Sequence, residues 1–250
     1  MINLGGKNKF YSRGEAGKYE LSITQIKDLV IGANSTKDKI SNFIDGRIAD
    51  ILSDNGPIAI SKGPKIILHL IPVNNFHNQN QLDLSTLKRL PNIKNFKPID
   101  GYSIKAPRIN FEGLLTFNNQ WNLETDGYLQ VFHNGTIESV NTSILHHQIG
   151  EELFVPSTIF KDKFLLGFSN HLKLLEALSV DFPLLVSLNI FGLKGYQLAL
   201  RGGRANFTDS IVLRRNHLKF PEIIIEKKTS VESIIESYLR QFWNAFGHEY

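Results

Sequence analysis

The chain has 250 residues, of which 42% are hydrophobic and 21% are charged, and it contains no cysteine. Such a length suits one large domain or two small ones, and the composition excludes a disordered chain, a collagen and a coiled-coil rod. The lack of cysteine excludes disulfide bonds, thiolate metal sites and cysteine nucleophiles. The formal net charge of +4 indicates no function by itself.

The small net charge hides an uneven distribution along the chain. The net charge is +6 over residues 62–108, −6 over 109–193 and +5 over 194–228. Basic segments are typical of surfaces that contact phosphate backbones, and they also occur as solvated loops that pair with an acidic face. The sequence leaves open whether the two basic segments share one surface.

The N-terminal part of the chain predicts short strands followed by two amphipathic helices. Strand composition occurs at 9–13 and 19–21. Ser22 and Gln25 form a capping box, which predicts the start of the first helix. A second helix start is predicted at Ser35 or Thr36, and this helix ends before the Asn-Gly-Pro turn that follows residue 54.

The remainder predicts a mixed, mainly antiparallel sheet and two further helices. The near-continuous apolar run inside GPKIILHLIP (63–72) is typical of a buried central strand. Asn134-Gly135 predicts a hairpin with a type I′ turn. Further elements are predicted as a strand over 108–117, a short helix at 83–90, a long loop over 91–108, a long helix after Pro156, a strand pair formed by 184–191 and 196–200, a strand at 222–226, and a C-terminal helix after a capping box of Thr229 and Glu232. Irregular mixing of strands and helices favours an α+β fold.

No strong catalytic motif occurs in the sequence. Phosphate-binding glycine loops and the G-x-S-x-G elbow are missing, and the His146-His147 pair lacks metal-ligand spacing. We therefore predict no catalytic residue, metal or cofactor. His69 is compatible with a general base near a strand end or with a buried core histidine. Either Arg13 or Arg47 is suited to hold a buried carboxylate, and for both a structural role is favoured over a catalytic one. An enzymatic alternative places His69 and Arg13, with Glu112, around a polar cleft.

The densest basic segment is the candidate nucleic-acid contact. Its five candidate residues are Arg201, Arg204, Arg214, Arg215 and Lys219. Guanidinium groups beside flexible glycines suit phosphate contacts, and Phe207 and Phe220 offer stacking faces close by. A solvated loop between strands would have the same composition.

The sequence contains neither a secretory signal nor a membrane span. The most apolar window, 182–193, has 12 residues, whereas a spanning helix needs about 20. The default expectation is a cytoplasmic protein without a membrane partner.

Several segments together resemble the C-terminal region of bacterial Schlafen AlbA-like domain proteins. They are FYSR (10–13), GKYEL (17–21), GPKIILHLIP (63–72), NFEGLLT (110–116), GYLQVFHNGTIESV (127–140) and VPS (155–157). The resemblance covers about residues 5–250. Such proteins are often labelled ATP-binding proteins or transcriptional regulators, and their N-terminal AlbA-like domain carries an acidic segment associated with nucleic-acid handling. That segment has no counterpart in residues 1–20, so no active-site residue is carried over.

The resemblance implies a domain division and a function. Residues 1–21 are expected to be remnant strands of a preceding AlbA-like domain, and 22–250 a single α+β domain with a sub-boundary near 56–63. Residues 5–21 are expected to pair with another chain, with a separate AlbA-like domain or with the sheet of 66–71, or else to be poorly ordered. The implied function is a non-catalytic accessory module that contacts DNA or RNA. The alternatives are the enzyme around His69 and a structural oligomerisation domain.

Overall fold

The structure, a computed structural model, describes residues 2–4, 7–9, 11–14, 17–78, 81–83, 96–102, 107–118, 124–200 and 211–250. The chain divides into two compact units, residues 1–43 and residues 44–250. The domain boundaries expected at residue 21 and near residues 56–63 stay predictions. The α+β class predicted from the sequence is confirmed.

The first unit begins with two antiparallel hairpins. One pairs β1 (Ile2–Leu4) with β2 (Lys7–Lys9), and the other pairs β3 (Tyr11–Gly14) with β4 (Gly17–Glu20). Each strand therefore has a hydrogen-bonding partner next to it in the chain, and the hairpins are formed locally. Pairing of the outer hairpin edges with another chain stays a prediction.

Helix α1 (Ile23–Leu52) is one continuous helix, and the prediction of two helices is wrong. Its start is as predicted, because the Ser22 N–H donates to Gln25 Oε1 at 2.8 Å and the Gln25 N–H donates to Ser22 Oγ at 3.2 Å. The Thr36 hydroxyl was expected to cap a second helix. It donates instead to the Gly32 carbonyl one turn earlier, at 3.0 Å, and this back-bonding keeps the residue inside the helix.

The second unit contains two sheets and the remaining helices. Its strands are β5 (Lys65–Pro72), β6 (Arg108–Ile109), β7 (Gly113–Phe117), β8 (Gly127–Phe132), β9 (Ile137–Asn141), β10 (His147–Ile149), β11 (Glu152–Pro156), β12 (Leu184–Phe191), β13 (Gln197–Ala199), β14 (His217–Lys219) and β15 (Ile223–Ile225). Its helices within the described residues are α2 (Val73–Asn78), α3 (Ser157–Ala177) and α4 (Val231–Ala245). The predicted helix at 83–90 falls mainly on residues outside those described.

The larger sheet has eight strands in the order β14-β12-β5-β9-β8-β7-β6, and β15 also pairs with β12. All of these pairs are antiparallel. Strand β5 is bonded to β12 on one side and to β9 on the other. The expectation that residues 5–21 pair with β5 is therefore wrong, because neither edge of this strand is available.

Two predicted strand arrangements are corrected. The segment 108–117 is a hairpin of β6 and β7 rather than one strand. Strand β13 does not pair with β12. It pairs in parallel with β11, which also pairs with β10 in a separate three-stranded sheet. The second edge of β12 is already filled by β14 and β15, which explains why its neighbour in sequence lies elsewhere.

The turn between β8 and β9 is a hairpin at the predicted place but of another type. Gly135 has φ +84°, its N–H donates to the Phe132 carbonyl, and the Phe132 N–H donates to the Thr136 carbonyl. The loop therefore contains three residues with glycine in the left-handed region. Asn134 contributes through its side chain, since its Oδ1 accepts from the Thr136 N–H at 3.0 Å.

The two faces of the large sheet carry different chemistry. One face forms the main core with α3 and α4, where the rings of Phe160 and Phe242 lie 4.5 Å apart and the Tyr238 hydroxyl donates to the Val186 carbonyl of β12. The capping residue of α4 is Ser230, one residue after the predicted Thr229. The opposite face carries a smaller apolar cluster and a row of buried polar side chains. No helix among the described residues is long and apolar enough to span a bilayer.

Helix α3 holds the segment 96–102 against the core. The Lys163 ammonium donates to the Asp100 carbonyl at 3.1 Å, and His171 Nε2 bonds the Lys97 carbonyl at the same distance. Because a carbonyl only accepts, Nε2 of His171 carries the hydrogen. Burial lowers the pKa of His171 to about 4, so the imidazole is neutral in the folded protein near pH 7.

We expect His171 to make stability fall as the pH drops from about 6.5 to about 4. In this window the unfolded chain protonates His171 and the folded chain does not, so unfolding is favoured. Across this pH window, His171 changes the free energy of unfolding by about 3 kcal/mol in total. His171→Gln keeps a donor and cannot titrate, so urea unfolding at pH 7 and pH 4.5 should show a smaller difference for this variant. An equal difference in both proteins would contradict the assignment.

Candidate functional site

A row of buried polar side chains crosses four strands of the large sheet on its second face. Directly opposed residues in antiparallel strands project to the same side. The register places Ser187 opposite His69, His69 opposite Glu138, and Glu138 opposite Gln130. All four residues are almost completely inaccessible to solvent.

Arg47 of α1 joins this row through Glu138. Glu138 Oε2 accepts from Arg47 Nε at 2.9 Å and from His69 Nε2 at 3.1 Å. Glu138 Oε1 accepts from Arg47 Nη2 at 2.9 Å and from the Tyr128 hydroxyl at 2.7 Å. Four donors therefore fill the four acceptor positions of the carboxylate, and His69 Nε2 carries a hydrogen because an ionised carboxylate only accepts.

The electrostatics of this cluster keep Glu138 ionised. Burial alone raises the pKa of a carboxyl group, but hydrogen bonds from Arg47 and His69 outweigh it and lower the pKa of Glu138 to about 2. Arg47 is buried as well, and the attraction to Glu138 overcomes that burial and raises its pKa. Burial also raises the pKa of Tyr128 well above its usual value.

A second carboxylate binds the outer side of Arg47. Glu112 Oε1 lies 2.6 Å from Arg47 Nη1, and its side chain is 31% exposed. Burial raises the pKa of Glu112, and the charge of Arg47 opposes this rise. The guanidinium also lies 5.2 Å from the centre of the Phe132 ring. Arg47 is thus the charge centre that joins α1 to strands β8 and β9 and to the turn between β6 and β7.

The expected role of Arg47 as partner of a buried carboxylate is confirmed. His69 and Glu112 lie in the same cluster, whereas the side chain of Arg13 lies outside the described residues. Sequence reasoning missed Glu138 and Tyr128. The available signal was a glutamate that follows Ile137 and precedes Val140 in a predicted strand, since a fully buried carboxylate requires donors.

This geometry favours a structural role for the cluster. His69 and Glu138 have 0% exposure, and the carboxylate has no acceptor position left for a substrate. Ser187 lies opposite His69 in the register but is itself 3% exposed, so a substrate does not reach it. Among the described residues, no group of histidines and carboxylates is arranged to hold a metal ion.

Three of the five predicted basic residues are exposed at one edge of the large sheet. Arg214, Arg215 and Lys219 are exposed, and Lys219 lies on β14, the edge strand. Arg201 and Arg204 lie outside the described residues and remain predictions, as does Phe207. The expected stacking role of Phe220 is wrong, because its side chain is 6% exposed and packs edge-on against Tyr238.

Residues 62–65, which belong to the other basic segment (62–108), lie close to this edge. Lys65 at the start of β5 lies directly opposite Phe191 at the end of β12. The backbone of Gly192 is so close to Pro64 that a Cβ at this glycine would lie 2.9 Å from the Pro64 Cα. Residues 62–65 therefore come together with residues 192–195 and 213–219 at one end of the sheet.

The turn after β12 lies at the same end of the large sheet. The Gly192 N–H donates to the Asn216 carbonyl and the Gly195 N–H donates to the Leu213 carbonyl, both at 2.8 Å. These bonds hold the exposed Lys194 beside the Arg214-Arg215 segment. We call this surface the basic edge, and its described cations are Lys62, Lys65, Lys194, Arg214, Arg215 and Lys219.

Among the described residues, no ion pair joins a cation of the basic edge to a carboxylate. The ion pairs found among the described residues involve Arg47, His69, Lys228 and Arg240, and none of them belongs to this edge. Among the described acidic side chains, Glu124 and Asp126 flank the bridge between Ile60 and Thr125, and the exposed Glu222 follows Lys219 by three residues.

Comparisons with protein-family models, with curated proteins and with solved structures found no match to this chain.

Proposed function

We propose that the second unit is a non-catalytic accessory module that binds nucleic acid through the basic edge. The observation that carries this proposal is the meeting of two basic segments, far apart in sequence, at one end of the sheet. Cations that share a surface without carboxylate partners produce a positive potential that attracts a phosphate backbone. The AlbA-like resemblance of the sequence is in accord with such a function.

The two other candidate functions have weaker geometric support. An enzyme around His69 needs access for a substrate, and the residue is fully buried. An oligomerisation domain needs an apolar surface, and the most prominent exposed apolar group is Phe111 beside Ile109 on the β6–β7 hairpin. A stable interface buries roughly 800 Å² per partner, which is more than two side chains supply.

A salt titration of oligonucleotide binding tests the proposal. We expect the affinity of the protein for fluorescein-labelled 20-mers, measured by anisotropy, to fall steeply as NaCl increases. Each phosphate contact contributes roughly 0.9 to the slope of log K against log salt for duplex DNA. The double variant Arg214→Ala/Arg215→Ala should therefore bind more weakly, with a duplex slope reduced by up to about 1.8.

The matched control removes the same charge from elsewhere. Lys227→Ala/Arg240→Ala also removes two exposed cations, neither of which belongs to the basic edge. It should keep most of the affinity and the slope. Equal effects of the two double variants would show that only net charge matters. Lack of binding by the unmodified protein at about 20–50 mM NaCl, where binding to phosphates is strong, would overturn the proposal.

A further inference from the structure

The basic edge contains an exposed imidazole that the sheet holds in a fixed orientation. His217 of β14 lies opposite Phe191 of β12. The two rings are 4.0 Å apart between centroids and are inclined by only 14°, so they are stacked. Because Phe191 covers one face of the ring and His217 is exposed, the other face of the imidazole is presented to solvent.

Hydrogen bonds behind the ring fix its rotation. His217 Nε2 lies 3.0 Å from Asn189 Oδ1, and Asn189 Nδ2 donates to Ser187 Oγ at 3.2 Å. Asn189 and Ser187 are 1% and 3% exposed, so the ring is anchored to rigid, buried groups. Since the amide oxygen accepts, Nε2 carries the hydrogen. An exposed histidine held on two sides is pre-organised, and binding a planar group on its open face costs little conformational entropy.

A cation lies beside each member of the stacked pair. The register aligns His217, Phe191 and Lys65 across three adjacent strands, and Lys219 follows His217 by two residues. These four side chains therefore project to the same face of the sheet. Neighbouring strands are about 4.8 Å apart, so the positions of Lys65 and His217 are separated by roughly 10 Å.

We propose that the Phe191–His217 stack is a platform for one unpaired base, and that the basic edge consequently prefers single-stranded nucleic acid to a duplex. This inference rests on the proposed function and specifies its ligand. A flat ring beside cations is the combination that single-strand binding proteins use, with the ring stacking on a base and the cations following the backbone. In a duplex the faces of the bases are covered by their neighbours, so only the cations would contribute.

The test compares single strands that have the same charge but differ in their bases, together with a duplex of the same length. Labelled dT20, U20, a 20-residue abasic strand and a 20-bp duplex are titrated with the protein at pH 8. Burial and the charge of Lys219 lower the pKa of His217, so the imidazole is neutral at this pH and its removal does not alter the charge. We expect dT20 or U20 to bind roughly 5-fold or more tightly than the abasic strand.

Variants of His217 separate stacking from charge. His217→Ala should lose the preference for strands with bases, with an unchanged salt slope, whereas His217→Phe should retain the preference. The double variant Arg214→Ala/Arg215→Ala should show the reverse, a lower slope with the preference kept. Thermal unfolding by circular dichroism checks that each variant is folded.

Each result bears on the proposal in a defined way. If wild-type protein binds the abasic strand as tightly as dT20 and U20, or if His217→Phe loses the preference together with His217→Ala, the platform is overturned while salt-dependent binding still supports the proposed function. A lack of binding to any strand at low salt would overturn both.

Discussion

Replacing Arg47 with alanine should lower the free energy of unfolding by about 3–5 kcal/mol, the usual cost of removing one partner from a buried ion pair. The variant leaves the Glu138 carboxylate fully buried with only His69 and Tyr128 as donors, where it previously had four donor atoms. Urea denaturation followed by circular dichroism measures the loss.

The control for this prediction is an exposed arginine. Arg240 pairs with Glu236 on α4, and both side chains are more than half exposed. Arg240→Ala should cost less than about 1 kcal/mol. A double variant, Arg47→Met/Glu138→Gln, should lose less than the sum of the single losses, because a neutral amide does not need the guanidinium. A loss of unfolding free energy for Arg47→Ala no larger than the loss for Arg240→Ala would contradict the structural role of the cluster.

Gly167→Ala should destabilise the protein, with a net loss of roughly 1–3 kcal/mol. Gly167 lies in the middle of α3, where alanine has the higher helix propensity by about 1 kcal/mol. An added Cβ would, however, lie 2.2 Å from the Ile99 carbonyl oxygen and 2.7 Å from its Cα. The obstacle is backbone, so the segment 96–102 must shift away from α3, and this packing cost exceeds the gain in propensity.

A second helical glycine provides a control of opposite sign. A Cβ at Gly46 of α1 would meet nothing within 4 Å. Gly46→Ala should therefore stabilise the protein by up to about 1 kcal/mol through helix propensity. Thermal unfolding of both variants distinguishes the two effects. Stabilisation by Gly167→Ala would show that the helix does not pack against Ile99 as closely as described.

Local features of the sequence predicted local features of the structure well. The capping box of Ser22 and Gln25, the hairpin at Asn134-Gly135 and the helix after Pro156 all occur where expected, because their signals depend on residues close in the chain. The wrongly predicted second helix start at Thr36 also came from a signal of residues close in the chain. A threonine hydroxyl can cap a helix or bond back into one, and the neighbouring sequence does not decide between them.

Long-range pairings were the part that sequence patterns did not determine. Glu138 is 91 residues from Arg47, and the strand order decides which carboxylate faces α1. The same holds for β13, which pairs with β11 rather than with the nearby β12. Likewise, the charge distribution identified two basic segments, but their meeting depends on the pairing of β5 with β12.

The central claim is that the basic edge, which brings residues 62–65 together with residues 194–195 and 213–219, is one nucleic-acid-binding surface. Lysine acetylation footprinting by mass spectrometry, with and without saturating dT20 at low salt, tests it directly. Bound oligonucleotide should protect Lys62, Lys194 and Lys219 together while leaving Lys161 and Lys173 of α3 as reactive as before. Protection confined to one of the two segments, or equal protection of the α3 lysines, would contradict the existence of a shared basic edge.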